Sequence, residues 1–111
     1  PGHAPTDRRM AGRPIVLSEY VGYIWNIVEH AWNPKRSFGY IMFKNSEKLS
    51  AAYKRLHESQ VIPLINKGLC ATVYTQVSDV EFEVNGIYSY DRKILKLDAD
   101  TVRAVNAKLT Y

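Results

Sequence analysis

The feature that most constrains the fold of this chain is a pair of apolar runs separated by a long amphipathic stretch. The first run, Pro-Ile-Val-Leu-Ser-Glu-Tyr at 14–20, places three branched apolar residues in a row behind a proline. The second run is Leu-Cys-Ala-Thr-Val-Tyr-Thr-Gln at 69–76. Consecutive apolar residues are typical of strands buried on both faces, which belong to parallel sheets covered by helices. We therefore predict two parallel strands joined by a right-handed crossover.

The crossover between these strands is predicted to be a helix over residues 46–66. Asn45 or Ser46 can cap its first turn. Pro63 should kink the helix or start a new turn, and Gly68 is a suitable C-terminal stop. An apolar stripe at helical spacing indicates the face turned to the core: Leu49, Ala52, Tyr53 and Leu56.

The segment 21–45 has no clean period and is unusually rich in aromatic residues. These are Tyr23, Trp25, Trp32, Phe38, Tyr40 and Phe43. Loops of this length are uncommon in compact domains and are often functional. The rings either bury against the rest of the domain or form the wall of a binding cleft, and the sequence leaves both open.

The C-terminal third allows two readings. Asn85-Gly86 between alternating apolar residues is a hairpin signal, with arms at 80–84 and 87–90. Asp98 or Asp100 then caps a final helix over 100–109. The alternative for residues 77–97 is an irregular loop at the end of the second strand.

Two parallel strands and two helices do not make a closed structure. A sheet of two strands is marginal by itself, and both strands would keep unpaired edges. The pattern is therefore typical of an α/β fold of which this chain is an incomplete piece.

Composition excludes several classes of function. Hydrophobic residues make up 46% of the 111 residues, so a packed core is feasible, but no apolar run approaches the roughly 18 residues of a membrane span. The net charge of +4 is scattered, which argues against a nucleic-acid partner. The single Cys70 rules out a disulfide framework within the chain, and we expect it to be a buried, inert thiol. His3, His30 and His57 are too far apart to suggest a metal site, no cofactor is implied, and no feature indicates a compartment.

Polar side chains follow both predicted strands. Glu19 ends the first strand, and Gln76, Ser78, Asp79 and Glu81 follow the second. In parallel α/β structures the carboxyl ends of neighbouring strands share one rim, where active sites lie. An acidic rim beside aromatic rings suits a sugar, because carboxylates act on glycosidic bonds. From position alone, Glu19 is equally explained as a capping or salt-bridged carboxylate.

Two motifs resemble a known family. The run 14–20 resembles the nucleophile strand of glycoside hydrolase family 2, the β-galactosidase and β-glucuronidase group, in which an apolar strand ends in Ser/Thr/Cys-Glu-Tyr/Phe. The second motif is Gly68 to Gln76, then Ser-Asp-Val-Glu at 78–81, Val-Asn-Gly at 84–86 and Tyr-Asp-Arg at 90–92. It resembles the eighth strand and the following loop of a bacterial branch of that family. Order and spacing match from residue 13 to about 107.

The resemblance implies that residues 14–111 are the C-terminal part of the catalytic (β/α)8 TIM barrel. Strand seven would be 14–20, helix seven 46–66, strand eight 69–76 and the closing helix 100–109. Residues 1–13 would be the loop leading into strand seven, and 80–90 would be a rim loop instead of a hairpin. The partner of such a fragment is the remainder of the barrel.

The resemblance also implies a function. The chain would belong to a retaining O-glycoside hydrolase, β-galactosidase-like, with Glu19 as the catalytic nucleophile. We expect Tyr20, Trp25, Gln76 and Asp79 to contact the carbohydrate substrate. The alternative is a non-catalytic carbohydrate-binding or interaction module.

Three departures limit what the resemblance implies. The family's general acid/base is a Glu that follows an Asn at the end of strand four, upstream of the segment present here, so the chain by itself should be inactive. Val21 stands where many members have Gly. Tyr74 and Gln76 occupy the region where many members carry Trp, so the identity of the sugar does not transfer.

Overall fold

The computed structural model describes residues 13–20, 22–33, 35 and 41–110. The predicted N-terminal loop lies almost wholly outside these residues, as do His3, Val21, Phe38 and Tyr40. The described elements are the strands β1 (Ile15–Leu17), β2 (Tyr23–Ile24), β3 (Ile41–Met42) and β4 (Leu69–Thr72), and the helices α1 (Ser46–Leu56), α2 (Ile62–Ile65) and α3 (Ala99–Asn106). A 3-10 turn, Val28–His30, follows β2, and a π-helical segment, His57–Val61, joins α1 to α2.

β1 and β4 are parallel neighbours, as the two apolar runs predicted. Ile15 pairs with Leu69 and Leu17 with Thr72, with an irregularity after Ile15. The pairing extends by one bond beyond β4, where the Val73 amide donates to the Leu17 carbonyl at 2.8 Å. Both strands are shorter than predicted, because the regular pairing ends before Glu19 on one strand and before Tyr74 on the other.

The crossover is helical from Ser46 to Ile65, one residue short of the predicted range, and changes its winding near Pro63. Asn45 caps α1 by accepting a hydrogen bond from the Lys48 amide at 2.9 Å. Proline lacks an N–H, and its ring would clash with the carbonyl four residues before it, so the wider π-helical segment accommodates it. Gly68 ends the crossover with φ +116°, a left-handed conformation that favours glycine.

The core forms where α3 packs across α1. Its buried members are Leu49, Tyr53, Leu97 and Val105, and partly buried side chains pack around them: Tyr23, Trp25, Phe43, Tyr74, Ile87 and Val102. Of the four aromatics of segment 21–45 that the structure describes, three therefore pack against this core, whereas Trp32 stays 44% exposed. The same segment contains β2 and β3, which form a second parallel pair of two residues each.

The hairpin over 80–90 is wrong. Between residues 77 and 97 the backbone makes only isolated bridges, including Val80 with Glu83 and Tyr88 with Leu95. Gly86 is not at the tip of a turn. It lies against the backbone of Ser78 and Asp79, so closely that a Cβ there would be 2.3 Å from the Asp79 nitrogen.

Cys70 is also not where we expected it. Its side chain is exposed, and its Sγ contacts the Gly68 carbonyl at 3.3 Å. The apolar run around it predicted burial on both faces of β4, but no element of the described residues covers the face that carries Cys70. Asp98, one of the two candidate caps, does begin α3, by accepting a hydrogen bond from the Thr101 amide at 2.9 Å.

No helix within the described ranges is long and apolar enough to cross a membrane.

Candidate functional site

Glu19 lies just beyond the regular pairing of β1 and is exposed. Its carboxylate makes no hydrogen bond or ion pair with the part of the chain that the structure describes. The capping and salt-bridge explanations that its position allowed therefore have no support among these residues. An exposed carboxylate of this kind is chemically able to attack an electrophilic carbon.

Tyr20, the next residue, turns toward the crossover helix. Its hydroxyl lies 2.8 Å from Nε2 of His57, which is fully buried in the first turn after α1. The rings of Tyr20 and Tyr74 meet edge to face at 6.0 Å between centroids. Tyr20, predicted as a substrate contact, therefore joins the end of β1 to α1 and to the segment that follows β4.

A cluster of rings surrounds this contact, and we name it the tyrosine–histidine cluster: Tyr20, Tyr53, His57 and Tyr74. Tyr53 lies 4.1 Å from His57 and 5.6 Å from Tyr74 between ring centroids. Its hydroxyl donates to Asn106 of α3 at 2.6 Å. Sequence reasoning assigned Tyr53 to the core and gave His57 no role. The one available signal was their four-residue spacing, which puts both on the same helix face.

Burial perturbs the titration of this cluster. It raises the pKa of Tyr53 to about 12 and raises that of Tyr74 as well, with the neighbouring tyrosines adding to both shifts. Burial also lowers the pKa of His57, against the opposing hydrogen bond to the Tyr53 carbonyl. At neutral pH Tyr53, His57 and Tyr74 are therefore uncharged, because burial disfavours the charged form of each.

Gln76 anchors the loop that follows β4. Its side-chain amide donates to Asn85 Oδ1 at 2.8 Å, and its carbonyl accepts from the Ile87 amide at 2.9 Å. Asn85 in turn donates to the Thr75 carbonyl at 3.4 Å. The Asn-Gly pair that suggested a hairpin tip is thus folded back onto the end of the strand. The predicted substrate contact of Gln76 stays a prediction.

Asp79 belongs to a buried ion pair. Lys96 Nζ donates to its two carboxylate oxygens at 2.8 and 3.1 Å, and the Gly86 amide donates to Oδ1 at 2.9 Å. Burial raises the pKa of Asp79 and lowers that of Lys96, and their mutual contact opposes both shifts. Because both oxygens are occupied, the geometry favours a structural role for Asp79 over the substrate contact that we predicted.

Trp25 is half-buried and packs against the core formed by α1 and α3. Its backbone amide donates to the Val84 carbonyl at 3.2 Å, which ties the segment after β1 to the loop after β4. The substrate contact predicted for Trp25 remains a prediction. Its indole already serves the core, so only the exposed part of the ring is open to a ligand.

Two further contacts cross between the same two loops. His30 Nδ1 lies 2.6 Å from Asp91 Oδ2, and the rings of Trp32 and Phe82 meet edge to face at 4.7 Å. Hydrogen bonds, chiefly from Ser89 and then from His30, hold the pKa of Asp91 well below its usual range. Asp91 pairs with His30, whereas the guanidinium of the adjacent Arg92 donates to the Tyr90 carbonyl at 3.0 Å.

The described residues form no candidate metal centre, and the two depressions described below lie away from the predicted site residues. Among residues 13–20, 22–33, 35 and 41–110, no group of three His, Cys, Asp or Glu side chains could hold a metal ion. Two open depressions lie between α1 and α3, and none of the predicted site residues lines them. Comparison with known protein families and with curated proteins found no match to this chain.

Proposed function

We propose that this chain carries the nucleophile of a retaining O-glycoside hydrolase and forms the strand-seven to closing-helix part of its (β/α)8 barrel. Glu19 is the nucleophile. The observation that carries the proposal is the parallel pairing of β1 with β4, because parallel neighbours end at the same edge. Glu19 follows one strand at that edge, and Tyr74 and Gln76 follow the other.

The reaction requires an ionised carboxylate that is not neutralised by a local partner. Among the described residues, the Glu19 carboxylate has no hydrogen-bond or ion-pair partner that would neutralise it. Its oxygen attacks the anomeric carbon, and the bond from that carbon to the leaving oxygen breaks. The resulting glycosyl ester is then hydrolysed by water, which restores the carboxylate.

The same reaction requires a second carboxyl group about 5–5.5 Å from the first, which protonates the leaving oxygen and later activates water. Asp79 is held by Lys96 and is not available for this. Glu81 and Glu83 are exposed in the loop beyond it. In the proposed enzyme the acid/base comes from the upstream part of the barrel, so the chain by itself is inactive.

Exposed apolar side chains on the short sheets support the barrel context. Val16, Ile41, Met42 and Val73 are 48%, 51%, 62% and 54% exposed. In a barrel, flanking strands and helices would cover such side chains. The same exposure is the observation that favours the second candidate, an interaction module whose strands pair with another chain.

Activity on aryl β-glycosides tests the first candidate. The 111-residue chain should give no turnover, whereas the protein in which it follows the rest of the barrel should be active. There, Glu19→Gln should remove nearly all turnover, because the amide is a poor nucleophile. Glu47→Gln, the same change at an exposed glutamate of α1, is the matched control and should retain activity. Full activity of the Glu19→Gln protein would reject Glu19 as the nucleophile.

Size-exclusion chromatography with circular dichroism separates the two candidates. A barrel fragment by itself should be aggregated, swapped or molten. An interaction module should be a defined monomer or dimer that unfolds cooperatively. A cooperative species without glycosidase activity in any context would favour the module.

A further inference from the structure

The hydrogen bond between Tyr20 and His57 has a defined direction. His57 Nδ1 lies 2.8 Å from the Tyr53 carbonyl oxygen, which can only accept, so Nδ1 carries the proton. In the neutral imidazole Nε2 is then an acceptor, and the Tyr20 hydroxyl donates to it at 2.8 Å. His57 is fully buried, so loss of the Tyr20 hydroxyl would leave a buried imidazole nitrogen without a hydrogen bond and would lower the stability of the fold.

This bond fixes the backbone on one side of Glu19. On the other side, the Leu17 carbonyl accepts from the Val73 amide at 2.8 Å, so the end of β1 is held by the segment after β4. Glu19 therefore lies between two anchored residues, while its own side chain has no partner in the described part of the chain. Among the described residues, these anchored neighbours are what constrains the direction of the carboxylate.

We propose that His57 is a positioning residue for the nucleophile: by holding the Tyr20 hydroxyl, it fixes the direction in which the Glu19 carboxylate leaves the end of β1. This inference rests on the proposed function. His57 acts through Tyr20 and touches no reacting atom. Tyr20 accordingly links the crossover helix to the backbone beside the nucleophile. The substrate contact predicted for Tyr20 stays a prediction.

The contribution of such positioning is measurable, because small displacements of a reacting group lower rates strongly. A displacement of about 1 Å can cost on the order of a hundredfold in rate. His57→Phe keeps a ring of similar size and removes the acceptor, so it should slow formation of the glycosyl-enzyme by about tenfold to a hundredfold and leave KM nearly unchanged. Tyr20→Phe removes the donor of the same bond and should have a similar effect.

The test measures glycosyl-enzyme formation by rapid mixing with an activated aryl glycoside, in the protein that contains the whole barrel. The double variant Tyr20→Phe/His57→Phe should be no slower than either single variant, because both remove one bond. His57→Gln supplies an amide oxygen as acceptor and should recover part of the rate. Tyr88→Phe, the same kind of change at an exposed tyrosine outside the cluster, is the matched control and should leave this rate unchanged.

The outcomes separate the two proposals. If wild-type protein forms the glycosyl-enzyme on Glu19 and His57→Phe reacts equally fast, the positioning role is overturned and the proposed function stands. If wild-type protein forms no such intermediate, both fall. Nitrogen-15 NMR of the His57 ring gives a readout independent of activity: the geometry predicts a neutral ring protonated at Nδ1, and a ring protonated at Nε2 would contradict the inference.

Discussion

The buried Asp79–Lys96 ion pair supplies the sharpest prediction about stability. The Lys96 side chain is 0% exposed and that of Asp79 is 3% exposed. Besides its two bonds to Asp79, Lys96 Nζ donates to the Val84 carbonyl at 2.8 Å. Lys96→Met keeps much of the apolar volume but removes the charge and all three hydrogen bonds. The Asp79 carboxylate then keeps only the Gly86 amide as a donor among the bonds described above.

Removal of one partner of a buried ion pair leaves an uncompensated charge, which costs about 3–5 kcal/mol. That is a large share of the roughly 5–15 kcal/mol by which a domain is stable. The double variant Asp79→Leu/Lys96→Met leaves no charge behind and should recover most of the loss, because apolar replacement of a buried pair is often neutral. Lys93→Met removes an exposed lysine from the same loop and should change stability by about 0.5 kcal/mol or less.

The deficit of Lys96→Met should also depend on pH. Burial raises the pKa of Asp79, and without Lys96 less opposes that rise. A carboxyl group whose pKa is higher in the folded than in the unfolded protein favours folding in its protonated form. Its contribution to stability is therefore full at low pH and is lost as pH rises through the folded pKa. The deficit relative to wild type should therefore shrink as pH falls through the folded pKa of Asp79.

Urea unfolding between pH 5 and 8 measures both the loss of stability and its dependence on pH. The measurement uses the chain by itself, or the chain joined to the rest of the barrel, according to which of the two unfolds cooperatively. Hydrogen exchange of residues 77–97 adds a local readout, because the ion pair holds this loop together. A deficit below about 1 kcal/mol would refute the reasoning, since a buried pair must cost more than that when broken. A deficit that stayed constant across this pH range would refute the titration argument.

Three further predictions concern other parts of the fold. Gly86→Ala should destabilise by about 1–3 kcal/mol in urea unfolding, because its Cβ would meet backbone atoms that cannot move aside. Gly68→Ala, with a 3.7 Å side-chain contact but a left-handed backbone, should cost only about 1 kcal/mol. A larger loss of stability for Gly68→Ala than for Gly86→Ala would contradict the close approach at Gly86. Asn45→Ala should cost about 1 kcal/mol by loss of the α1 cap, and a change below a few tenths would argue against the cap. Because the pKa of His57 is lowered in the fold, its neutral form stabilises the fold, and this stabilisation is lost as pH falls through the folded pKa. His57→Gln should therefore reduce the fall of Tm as pH is lowered. An unchanged fall of Tm would exclude His57 as its source.

Local signals in the sequence predicted much of this fold. The two apolar runs predicted parallel strands, and β1 and β4 pair in that way. Asn45 and Asp98 were each one of two candidate caps, and Gly68 was predicted as the stop, because each acts through backbone groups within a few residues. Such features depend on neighbours in the chain and are readable without tertiary structure.

The remaining features depend on contacts between distant residues. Tyr20 and His57 are 37 positions apart, and Asp79 and Lys96 are 17 apart, so no local pattern reveals either bond. The Asn85-Gly86 signal was misleading because Gly86 permits a close backbone approach instead of a tight turn. Cys70 looked buried because its neighbours are apolar, whereas its exposure depends on which elements cover β4.

The most direct measurement of the central claim is covalent capture of the nucleophile. A 2-deoxy-2-fluoro β-glycoside with a dinitrophenolate leaving group should react once with the barrel-containing protein, because the fluorine slows both formation and hydrolysis of the ester while the good leaving group speeds only its formation. Peptide mass spectrometry should then find the added sugar on Glu19, and Glu19→Gln should carry none at that position. Capture of the sugar on a different carboxylate, or no capture under turnover conditions, would contradict the assignment of Glu19.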